Sequence, residues 1–456
     1  MLHDAHGFWI ADAGNPPVLP PLEEELRADV VVVGGGYTGM WAAWHLLDAD
    51  PDARVVVLES GRCGHGPSGR NGGFVSPMDL GADALRTDHG AAGDAWVRAA
   101  RETVDAIGAW CEAEGVDAHY RRAGELVVST APAQDAIKAE ATDGESVITQ
   151  TAEQARARCD SPVFRGGVYC PNAANVHPAR LAFGLRDRLV ARGARIFEGS
   201  RARAIRPAPE GVEVRTERGG VRAGTAVLAI NAATGSIRPL RNRLTVSSSH
   251  IVMTEPVPDV LDELGWRGGE SISDGRALLH YLRTTADDRI LFGWAGGRMA
   301  AGARPGGRME IDPGVIAQVK RDLVRMFPQL EGRAIAHAWG GPIDVSPTHR
   351  PAIVGVRGLS AWAAFGYTGN GVGPSHLFGR TLAALAADRR DGVTRLPFVE
   401  PPRRTVPPEP LRIAGAAVIR RALVRKEAAE EAGTVADPVT RGIAALPGLL
   451  GLHIVR

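Results

Sequence analysis

Residues 29–39 read Asp-Val-Val-Val-Val-Gly-Gly-Gly-Tyr-Thr-Gly, and this stretch decides the fold. Its run of four valines is typical of a strand buried in a parallel sheet. Gly34, Gly36 and Gly39 then follow at the spacing G-x-G-x-x-G. In a dinucleotide-binding turn the first glycine permits the tight turn and the second lets the backbone approach a pyrophosphate. The third lets helix and strand pack closely.

A helix and a second strand complete this unit. Apolar residues at helical spacing predict a helix over residues 37–47, whose N-terminus would offer free N–H groups to phosphates. The apolar run 54–58 ends in Glu59, 20 residues after Gly39, where a carboxylate can accept hydrogen bonds from a ribose diol. The complete order of elements predicts a dinucleotide site, but the glycines do not choose between FAD and NAD.

A glycine-rich loop follows the second strand. Residues 60–74 read Ser-Gly-Arg-Cys-Gly-His-Gly-Pro-Ser-Gly-Arg-Asn-Gly-Gly-Phe. This segment resembles the Ser-Gly-x-x-Gly-Gly loop of the D-amino-acid oxidase/sarcosine oxidase superfamily, in particular the glycine/amine-oxidase-like group that includes gamma-glutamylputrescine oxidase. In that superfamily the loop runs past the FAD pyrophosphate to the flavin ring. The resemblance covers most of residues 8–395 and implies that the cofactor is FAD.

A second glycine-rich stretch supports the same resemblance. Residues 350–355 and 359–365 predict two strands, and residues 366–373 read Gly-Tyr-Thr-Gly-Asn-Gly-Val-Gly. In the superfamily this order leads into a helix whose N-terminus points at the flavin pyrimidine, and here that helix is predicted over residues 374–387. Such a helix end would stabilise negative charge on the reduced flavin.

The motif and the resemblance together imply a set of residues that contact the cofactor. They are Gly34, Gly36, Tyr37, Thr38, Gly39, Glu59, Ser60, Arg62, Ser68, Gly69, Arg70, Asn71, Gly72, Gly73, Ala202, Asn231, Ala232, Gly366, Thr368, Gly369, Asn370, Gly371, Val372 and Gly373.

The resemblance implies an α/β (α+β) fold of the glutathione reductase/p-hydroxybenzoate hydroxylase type. A Rossmann-like FAD-binding domain is expected to be discontinuous, and a strand-rich substrate domain is expected to be inserted in it. The FAD-binding segments are 1–80, 160–238 and 330–395, the substrate-binding segments are 81–159 and 239–329, and a Pro-rich linker with a helical tail occupies 396–456.

Several local expectations accompany these boundaries. The N-terminal arm is expected to be extended, with Phe8 and Trp9 as anchors. Residues 226–233 predict an apolar strand that reaches Asn231, and residues 133–159 predict helices joined by a turn at Asp143-Gly144.

Composition excludes several classes of protein. The chain has 456 residues, 44% hydrophobic and 23% charged, with a formal net charge of +1, so nothing suggests a nucleic-acid partner. The four cysteines are widely spaced without a C-x-x-C pair, so no metal site is predicted. The start lacks the features of a secretory signal, and no run of 18 apolar residues occurs, so a cytoplasmic location is the expectation.

The tail has a character of its own. Residues 411–423 predict one amphipathic helix with basic residues near its end. A basic amphipathic helix can lie on a membrane. Packing on the parent domain or on a partner subunit is the preferred interpretation.

Departures from the family pattern bear on the chemistry. Sarcosine-oxidase-like enzymes attach FAD through a cysteine near the final strand pair, but residues 340–347 here contain none. Related dehydrogenases use a histidine in the Ser-Gly loop, and Arg70 stands at that position. Non-covalent FAD is therefore predicted.

Two further family features are missing. The positions of the basic residues that hold a substrate carboxylate correspond to Phe74 and Gly373, which favours an amine without an α-carboxylate. Arg283 is the alternative candidate for such a clamp, while Tyr281 is predicted to line the pocket, opposite in direction to His280. Sarcosine-oxidase-like enzymes also place a lysine above the flavin to promote reaction with oxygen. None of the three lysines lies in residues 281–300, where Arg298 is the candidate to act in its place, so the electron acceptor is O2 or another molecule.

The sequence thus predicts an FAD-dependent amine oxidase or dehydrogenase. Hydride would pass from the substrate to flavin N5, and the resulting imine would be hydrolysed. The alternatives are an oxidase or dehydrogenase of glycine or a D-amino acid, and a flavoprotein whose tail mainly serves docking. An FAD/NADPH monooxygenase is disfavoured because a second dinucleotide fingerprint is missing.

Overall fold

The computed structural model of the chain describes residues 2–3, 6–78, 80–140, 146–303 and 307–452. The predicted turn at Asp143-Gly144 lies outside the described residues.

The described strands form an eight-stranded sheet and a nine-stranded sheet on opposite sides of a cavity, and a small two-stranded sheet lies beside them. In chain order they are β1 (Leu2–His3), β2 (Glu25–Val33), β3 (Val55–Leu58), β4 (Phe74–Val75), β5 (Glu125–Val128), β6 (Ile148–Gln150), β7 (Gly167–Cys170), β8 (Ala174–Asn175), β9 (Arg195–Phe197), β10 (Ala204–Ala208), β11 (Gly211–Arg215), β12 (Gly220–Leu228), β13 (Thr245–Thr254), β14 (Ser271–Asp274), β15 (His280–Thr284), β16 (Ile290–Trp294), β17 (Ile335–Val345), β18 (Ala352–Gly355) and β19 (Ala361–Phe365).

The α-helices cover the eight-stranded sheet and one side of the nine-stranded sheet. They are α1 (Phe8–Asp12), α2 (Tyr37–Ala49), α3 (Pro67–Arg70), α4 (Ala82–His89), α5 (Ala91–Ala113), α6 (Ala152–Arg158), α7 (Pro178–Ala191), α8 (Pro258–Glu263), α9 (Pro313–Met326), α10 (Val372–Ala386), α11 (Leu411–Glu431) and α12 (Pro438–Leu449).

The eight-stranded sheet contains the predicted strand–helix–strand unit. Its main path runs β10-β11-β12-β2-β3-β9, and β19 pairs with both β12 and β18. Strands β12, β2, β3 and β9 are parallel to one another, and Val31 and Val32 are completely buried between layers. The valine run therefore forms the buried parallel strand that it predicts. Helices α2 and α10 pack tightly against each other, since a Cβ at Gly379 would lie only 2.4 Å from the Trp41 Cβ.

The nine-stranded sheet follows the order β1-β17-β13-β16-β15-β14-β5-β7-β6. Strands β13, β15 and β16, which residues 240–312 predict, pair antiparallel at its centre. One face of this sheet packs on α9 through a separate apolar cluster, and the other face borders the cavity. The α/β fold with a strand-rich second part is confirmed.

The observed packing departs from the predicted domain boundaries in four places. Strands β1, β7 and β17 belong to the nine-stranded sheet, although the prediction assigns all three to the FAD-binding part. Helix α5, assigned to the substrate part, packs on α10 and α2, with Trp110 against Trp41. An apolar helix stripe gives the buried face but not the element that covers it. The exact boundaries stay a prediction.

The N-terminal arm and the segment around Asn231 differ from their predicted conformations, since the arm is not extended throughout. The N-terminal arm contains the short helix α1, and Trp9 is 2% exposed with its indole N–H donating to the Asn71 carbonyl at 3.0 Å. The anchoring roles of Phe8 and Trp9 are thus confirmed. Past β12 the chain leaves the sheet at Leu228, so Asn231 lies in a 3-10 turn rather than at a strand end.

The tail forms two helices instead of one. Helix α11 continues to Glu431 and packs on the nine-stranded sheet through buried ion pairs between Arg276 and Glu427. This geometry agrees with the preferred interpretation of a tail that packs on its parent. Of the helices that the structure describes, none combines the length and apolar character needed to cross a membrane.

Candidate active site

The glycine turn between β2 and α2 has the geometry of a phosphate site. Gly34 has a φ of +113°, and a Cβ there would lie 2.3 Å from the Ala229 carbonyl oxygen. A Cβ at Gly39 would lie 2.0 Å from the Gly34 carbonyl oxygen, so only glycine allows this close packing. Gly36 is the N-cap of α2 and supplies no side-chain hydrogen bond; the first residues of the helix line the cavity, and the Tyr37 N–H donates to the Ser68 hydroxyl.

Glu59 follows directly at the end of β3. One of its carboxylate oxygens accepts from the Gly35 N–H at 2.7 Å, and the other accepts from the Gly61 N–H at 2.7 Å and the Ser60 hydroxyl at 2.9 Å. The carboxylate is therefore oriented by backbone before any ligand arrives, beside the cavity where a ribose is expected.

The loop that follows is held by its own side chains. The Asn71 amide donates to the Pro67 and Ser68 carbonyls and its oxygen accepts from the Gly73 N–H at 2.7 Å. Asn71 was predicted to meet phosphates, but here its side chain stabilises the loop. Ser68 accepts from the Tyr37 N–H at 2.9 Å.

Two arginines of this loop have different surroundings. The Arg62 guanidinium donates to the Pro16 carbonyl. Arg70 lines the cavity near Gly341, and its guanidinium lies 3.8 Å from Glu310. The indole N–H of Trp339 donates to the Arg70 carbonyl at 2.8 Å, so the tryptophan fixes the position of the loop backbone.

The second glycine turn brings α10 to the same cavity. Gly371 caps α10 without a side-chain hydrogen bond, and the first turn of the helix lines the cavity. Gly366 has a φ of +83° and its N–H donates to the Asp344 carboxylate. The Thr368 N–H donates to the backbone carbonyl of the same aspartate at 2.9 Å.

Asp344 is a residue that the sequence argument missed. It is fully buried, its carboxylate also accepts from the Asn231 amide at 3.0 Å, and it lines the cavity. Burial raises its pKa to about 7, although hydrogen bonds from Gly366 and Asn231 oppose the shift. The available signal was a charged residue inside an otherwise apolar strand.

One connected cavity of about 2220 Å³ runs past all these elements. Most of the predicted cofactor residues line it: Gly34, Gly36, Tyr37, Thr38, Glu59, Ser60, Arg62, Ser68, Arg70, Asn71, Gly72, Ala202, Asn231, Thr368, Gly369, Asn370, Gly371 and Val372. The predicted residues that do not line it are Gly39, Gly69, Gly73, Ala232, Gly366 and Gly373.

Several of these six act through the backbone. A Cβ at Gly69 would lie 2.3 Å from the Gly64 carbonyl oxygen, and one at Gly73 would lie 2.2 Å from the Val176 carbonyl oxygen. Such glycines let the lining residues take their positions without touching a ligand themselves.

The residues present fit an FAD. Two helix N-termini without side-chain caps face one cavity, an oriented carboxylate stands beside the first, and glycines leave room for close approach. The turn from Gly34 to Thr38 would hold the pyrophosphate, Glu59 the ribose, and residues 366–372 the pyrimidine side of the ring.

The nine-stranded sheet supplies the opposite wall with a row of polar side chains. The Tyr281 hydroxyl lies 2.6 Å from the Ser249 hydroxyl, which donates to the Trp294 carbonyl at 2.9 Å. The Tyr281 ring crosses β16 above Gly293, where a Cβ would lie 2.1 Å from the ring. Burial raises the pKa of Tyr281 to about 12, so the phenol is neutral at ordinary pH.

The row continues onto β14 and β5. Ser273 stands directly opposite Tyr281 and donates to the Glu125 carboxylate at 2.9 Å. The sequence argument did not single out Ser249, Ser273 or Glu125. Glu125 heads the apolar run Glu-Leu-Val-Val, and a charged residue in such a run was again the available signal.

His280 faces the other way, as the alternation along a strand predicts. It is fully buried, with Nδ1 at 2.7 Å from Asp274 and Nε2 at 3.2 Å from Asp322. Burial alone would lower its pKa, but the two carboxylates outweigh burial and raise it.

Arg283 does not reach the cavity, which corrects its predicted role as a clamp for a substrate carboxylate. Its guanidinium is buried behind the glycine-rich loop of residues 60–74. It donates to the Val176 carbonyl at 2.7 Å and to the Gly73 carbonyl at 3.5 Å. Burial and the neighbouring Arg121 lower its pKa to about 10. The hydrogen bond to Gly73 holds the loop in place, and β4 and the loop separate the guanidinium from the cavity.

Arg298 and Trp294 also lie away from the cavity wall. Arg298 forms an ion pair with Asp312 at 2.7 Å, and the Trp294 ring packs in the apolar cluster behind the sheet. Further arginines that the sequence argument did not name line the opposite end of the cavity, near Ala202: Arg201, Arg203, Arg238 and Arg243.

Comparison with known proteins agrees with this geometry. The family model described as FAD dependent oxidoreductase matches residues 29–385. The gamma-glutamylputrescine oxidoreductase of Escherichia coli K12 is 30% identical over 420 residues, covering 87% of this chain and 93% of that protein. A probable oxidoreductase of Haemophilus influenzae, OrdL, is 28% identical over 378 residues, covering 80% and 84%.

Solved structures share the fold. Glycine oxidase from Geobacillus kaustophilus superposes with a TM-score of 0.69 at 21% identity, over 83% of this chain and all of that one. L-proline dehydrogenase from P. horikoshii gives 0.66 at 19% identity, over 82% of this chain and 96% of that one. With the family match over residues 29–385, these findings establish that the chain belongs to the family of FAD dependent oxidoreductases and uses FAD as its cofactor.

Proposed function

We propose that this chain oxidises the carbon–nitrogen bond of an amine that carries no carboxylate on the reacting carbon. The observation that carries the proposal is the charge of the cavity wall on the nine-stranded sheet. Among the described strand residues of that sheet that line the cavity, Glu125 and Asp344 are charged and none is basic. A substrate carboxylate would find no arginine fork on this wall.

The relatives support an amine as substrate. The name of the Escherichia coli relative specifies gamma-glutamylputrescine, an amine derivative. The amino-acid-oxidising proteins among the solved structures are similar in fold at 21% identity or less, so their substrates carry no argument for this chain.

FAD supplies the hydride acceptor when it is bound. The protein residues then have to orient a neutral amine. Because Ser249 donates its only hydroxyl proton to the Trp294 carbonyl, it accepts from Tyr281. The Tyr281 oxygen therefore keeps a lone pair directed away from Ser249, which can accept an N–H of the substrate amine. Its raised pKa keeps this phenol from acting as a base near neutral pH.

FAD is proposed to be bound without a covalent bond. The strand segment Gly340–Pro347, where the family can carry a cysteine, has none, and Arg70 occupies the loop position that carries a histidine in other members. Contacts from two helix N-termini and Glu59 would supply the affinity instead.

The electron acceptor is O2 or another molecule. Lys138, Lys320 and Lys426 do not line the described cavity, and Arg298 is paired with Asp312. A cation that promotes reaction with oxygen would have to come from the arginines at the cavity, of which Arg70 lies nearest to the strand Gly340–Gly341.

The test is anaerobic mixing of the purified protein with a panel of monoamines, diamines, N-methyl amines, glycine and D-amino acids, while the visible flavin band is followed. Bleaching by amines and not by amino acids is the expected result. Air is then admitted, and fast recovery of the band identifies an oxidase while slow recovery identifies a dehydrogenase. Bleaching by amino acids alone would refute the proposal, and Arg70→Gln would then test that arginine as the clamp.

A further inference from the structure

Glu125 is a buried carboxylate at the wall of the substrate cavity. It begins β5 and is 7% exposed, and it lines the cavity together with Leu80, Val147 and Cys170. One carboxylate oxygen accepts from the Ser76 hydroxyl at 2.8 Å and the other accepts from the Ser273 hydroxyl at 2.9 Å. Both serines therefore orient the carboxylate and fix its position.

Within the part of the chain that the structure describes, no arginine, lysine or histidine nitrogen forms an ion pair with Glu125, although 53 basic residues are present in the sequence. Glutamate is rarely this buried unless it is paired, because an unpaired buried charge costs free energy. An ionised carboxylate offers about four lone-pair sites, of which the two serines use two. The site can therefore accept a cationic donor from the cavity.

The position of Glu125 relative to Tyr281 restricts what that donor can be. The Tyr281 ring crosses β16 and its hydroxyl lies at Ser249 of β13, whereas the Glu125 carboxylate bonds to Ser273 of β14. Three strand spacings of about 4.8 Å separate β13 from β14, so the phenol hydroxyl and the carboxylate are roughly 14 Å apart. An extended diamine of about six to eight methylene groups, with a hydrogen bond of about 2.8 Å at each end, can span this distance.

The nitrogen at Glu125 cannot be the one that reacts. Hydride loss from the neighbouring carbon needs a neutral amine, whereas a carboxylate stabilises the ammonium form and raises the pKa of a bound amine. A carboxylate is therefore suited to a second nitrogen that stays protonated. The apolar side chains around it, Leu80 and Val147, suit the methylene chain between two nitrogens.

We infer that Glu125 binds the distal ammonium of a diamine or polyamine-type substrate and thereby determines specificity. This inference rests on the proposed amine oxidation and names the substrate class of the same site. The reacting nitrogen stays neutral near Tyr281. The charged nitrogen donates to the Glu125 carboxylate, which Ser76 and Ser273 hold in position.

The experiment compares diaminohexane and diaminooctane with hexylamine and octylamine, in the wild-type holoenzyme and in Glu125→Gln. The glutamine keeps the shape and removes the charge; its oxygen accepts from one serine hydroxyl, and its NH2 donates to the other serine oxygen. We expect Glu125→Gln to lower kcat/KM for the diamines about ten- to hundredfold, the range for a hydrogen bond to a charged group, and to leave the monoamines nearly unchanged. The loss should lie in KM, while the limiting rate of flavin bleaching is kept. Glu263→Gln, at an exposed position on α8, is the matched control, and FAD content reports folding.

A second readout does not depend on turnover. Diamine binding perturbs the oxidised flavin spectrum, and its Kd should rise in Glu125→Gln and recover partly in Glu125→Asp. An unchanged Kd would overturn the inference even if no amine were oxidised. An equal loss with monoamines and diamines would also overturn it, because Glu125 would then act on the reacting end or on folding. Failure of every amine to bleach the wild-type flavin would refute the proposed function separately.

Discussion

At the scale of single residues, burial sets the protonation of two side chains at the cavity wall. Tyr281 has its pKa raised to about 12, so it offers a neutral hydroxyl. Asp344 has its pKa raised to about 7, so it changes charge near neutral pH beside the glycine turn of α10. The two residues have different consequences, one for substrate orientation and one for pH-dependent stability.

Tyr281→Phe should weaken the orientation of the amine without releasing FAD. A hydrogen bond of this kind contributes about 1 to 1.5 kcal/mol, so kcat/KM should fall roughly tenfold. Ser249→Ala keeps the phenol and should have a smaller effect. The measurement is steady-state turnover with the amine that bleaches the flavin fastest. An unchanged kcat/KM in Tyr281→Phe would contradict this role.

Asp344→Asn should remove part of the pH dependence of stability. The folded-state pKa of about 7 exceeds the ordinary aspartate pKa of 3.8, so between these values the unfolded chain loses this proton while the folded chain keeps it. The carboxyl therefore favours folding less as pH rises from about 4 to 7, by on the order of 2 to 4 kcal/mol in total. Asparagine cannot ionise, so its Tm should fall less over this range than that of the wild type.

The matched control for this comparison is Glu263→Gln on the exposed side of α8. Its Tm curve against pH should run parallel to the wild-type curve. If the Asp344→Asn curve also runs parallel, the carboxyl does not titrate in the folded protein as the burial argument requires.

At the scale of elements, α11 is joined to the nine-stranded sheet by a buried charge network. Arg276 is paired with Glu427 at 2.9 Å and with Glu431 at 2.8 Å, and Glu427 also accepts from the Leu278 N–H at 3.0 Å. The same arginine lies 3.4 Å from His280, the neighbour of Tyr281 in β15. The tail thus contacts the back of the strand that carries the cavity-facing tyrosine.

Glu427→Ala should destabilise the fold strongly. Removal of one partner of a buried ion pair costs about 3 to 5 kcal/mol because the other charge stays buried. Glu430→Ala on the same helix removes only the contact with Lys426 and should cost about 0.5 kcal/mol. Urea unfolding measures both. Equal losses would show that the helix contributes through propensity rather than through the network.

Removal of the whole tail is consequently a poor test of a docking function. Deletion from residue 411 would leave Arg276 without either glutamate, and Arg420 on α11 would no longer donate to the Gly296 and Gly297 carbonyls. Loss of activity in such a truncation would indicate that the nine-stranded sheet, which forms one wall of the cavity, has become less stable. The docking role of the tail stays a hypothesis that needs surface substitutions on α12 instead.

At the scale of the whole molecule, the cavity lies between two sheets and is long enough to hold a dinucleotide and a substrate together. The glycine turns come from the eight-stranded sheet, and the polar row comes from the nine-stranded sheet. Cofactor and substrate sites are therefore coupled through one shared space rather than through a separate channel.

FAD should leave the protein on denaturation and should stabilise it when present. Unfolding followed by filtration should place all flavin absorbance in the filtrate, since no covalent bond is expected. Addition of FAD at one hundred times its Kd should stabilise the flavin-free protein by about 2.7 kcal/mol, seen as a rise in Tm. Flavin that stays with the unfolded chain would contradict non-covalent binding.

The sequence alone determined the first strand–helix–strand unit, and the resemblance of its two glycine-rich stretches implied the family and FAD. The unit depends on local order, namely valines, glycines and an acid at fixed spacing, and the geometry of a tight turn leaves few residues that can satisfy it. Helix α2 was predictable for the same reason, because its apolar periodicity is a local property. Helix α10 was implied by the resemblance of the second glycine-rich stretch.

Only the tertiary structure decided which polar residues share the substrate wall. Glu125 comes from a strand far earlier in the chain than Ser249, Ser273 and Tyr281, and strand order places it beside Ser273. The guanidinium of Arg283 could bind a carboxylate, yet it lies behind Gly73 because the loop of residues 60–74 stands between it and the cavity. A side chain's direction follows from strand periodicity, but the element it meets there depends on contacts between distant parts of the chain.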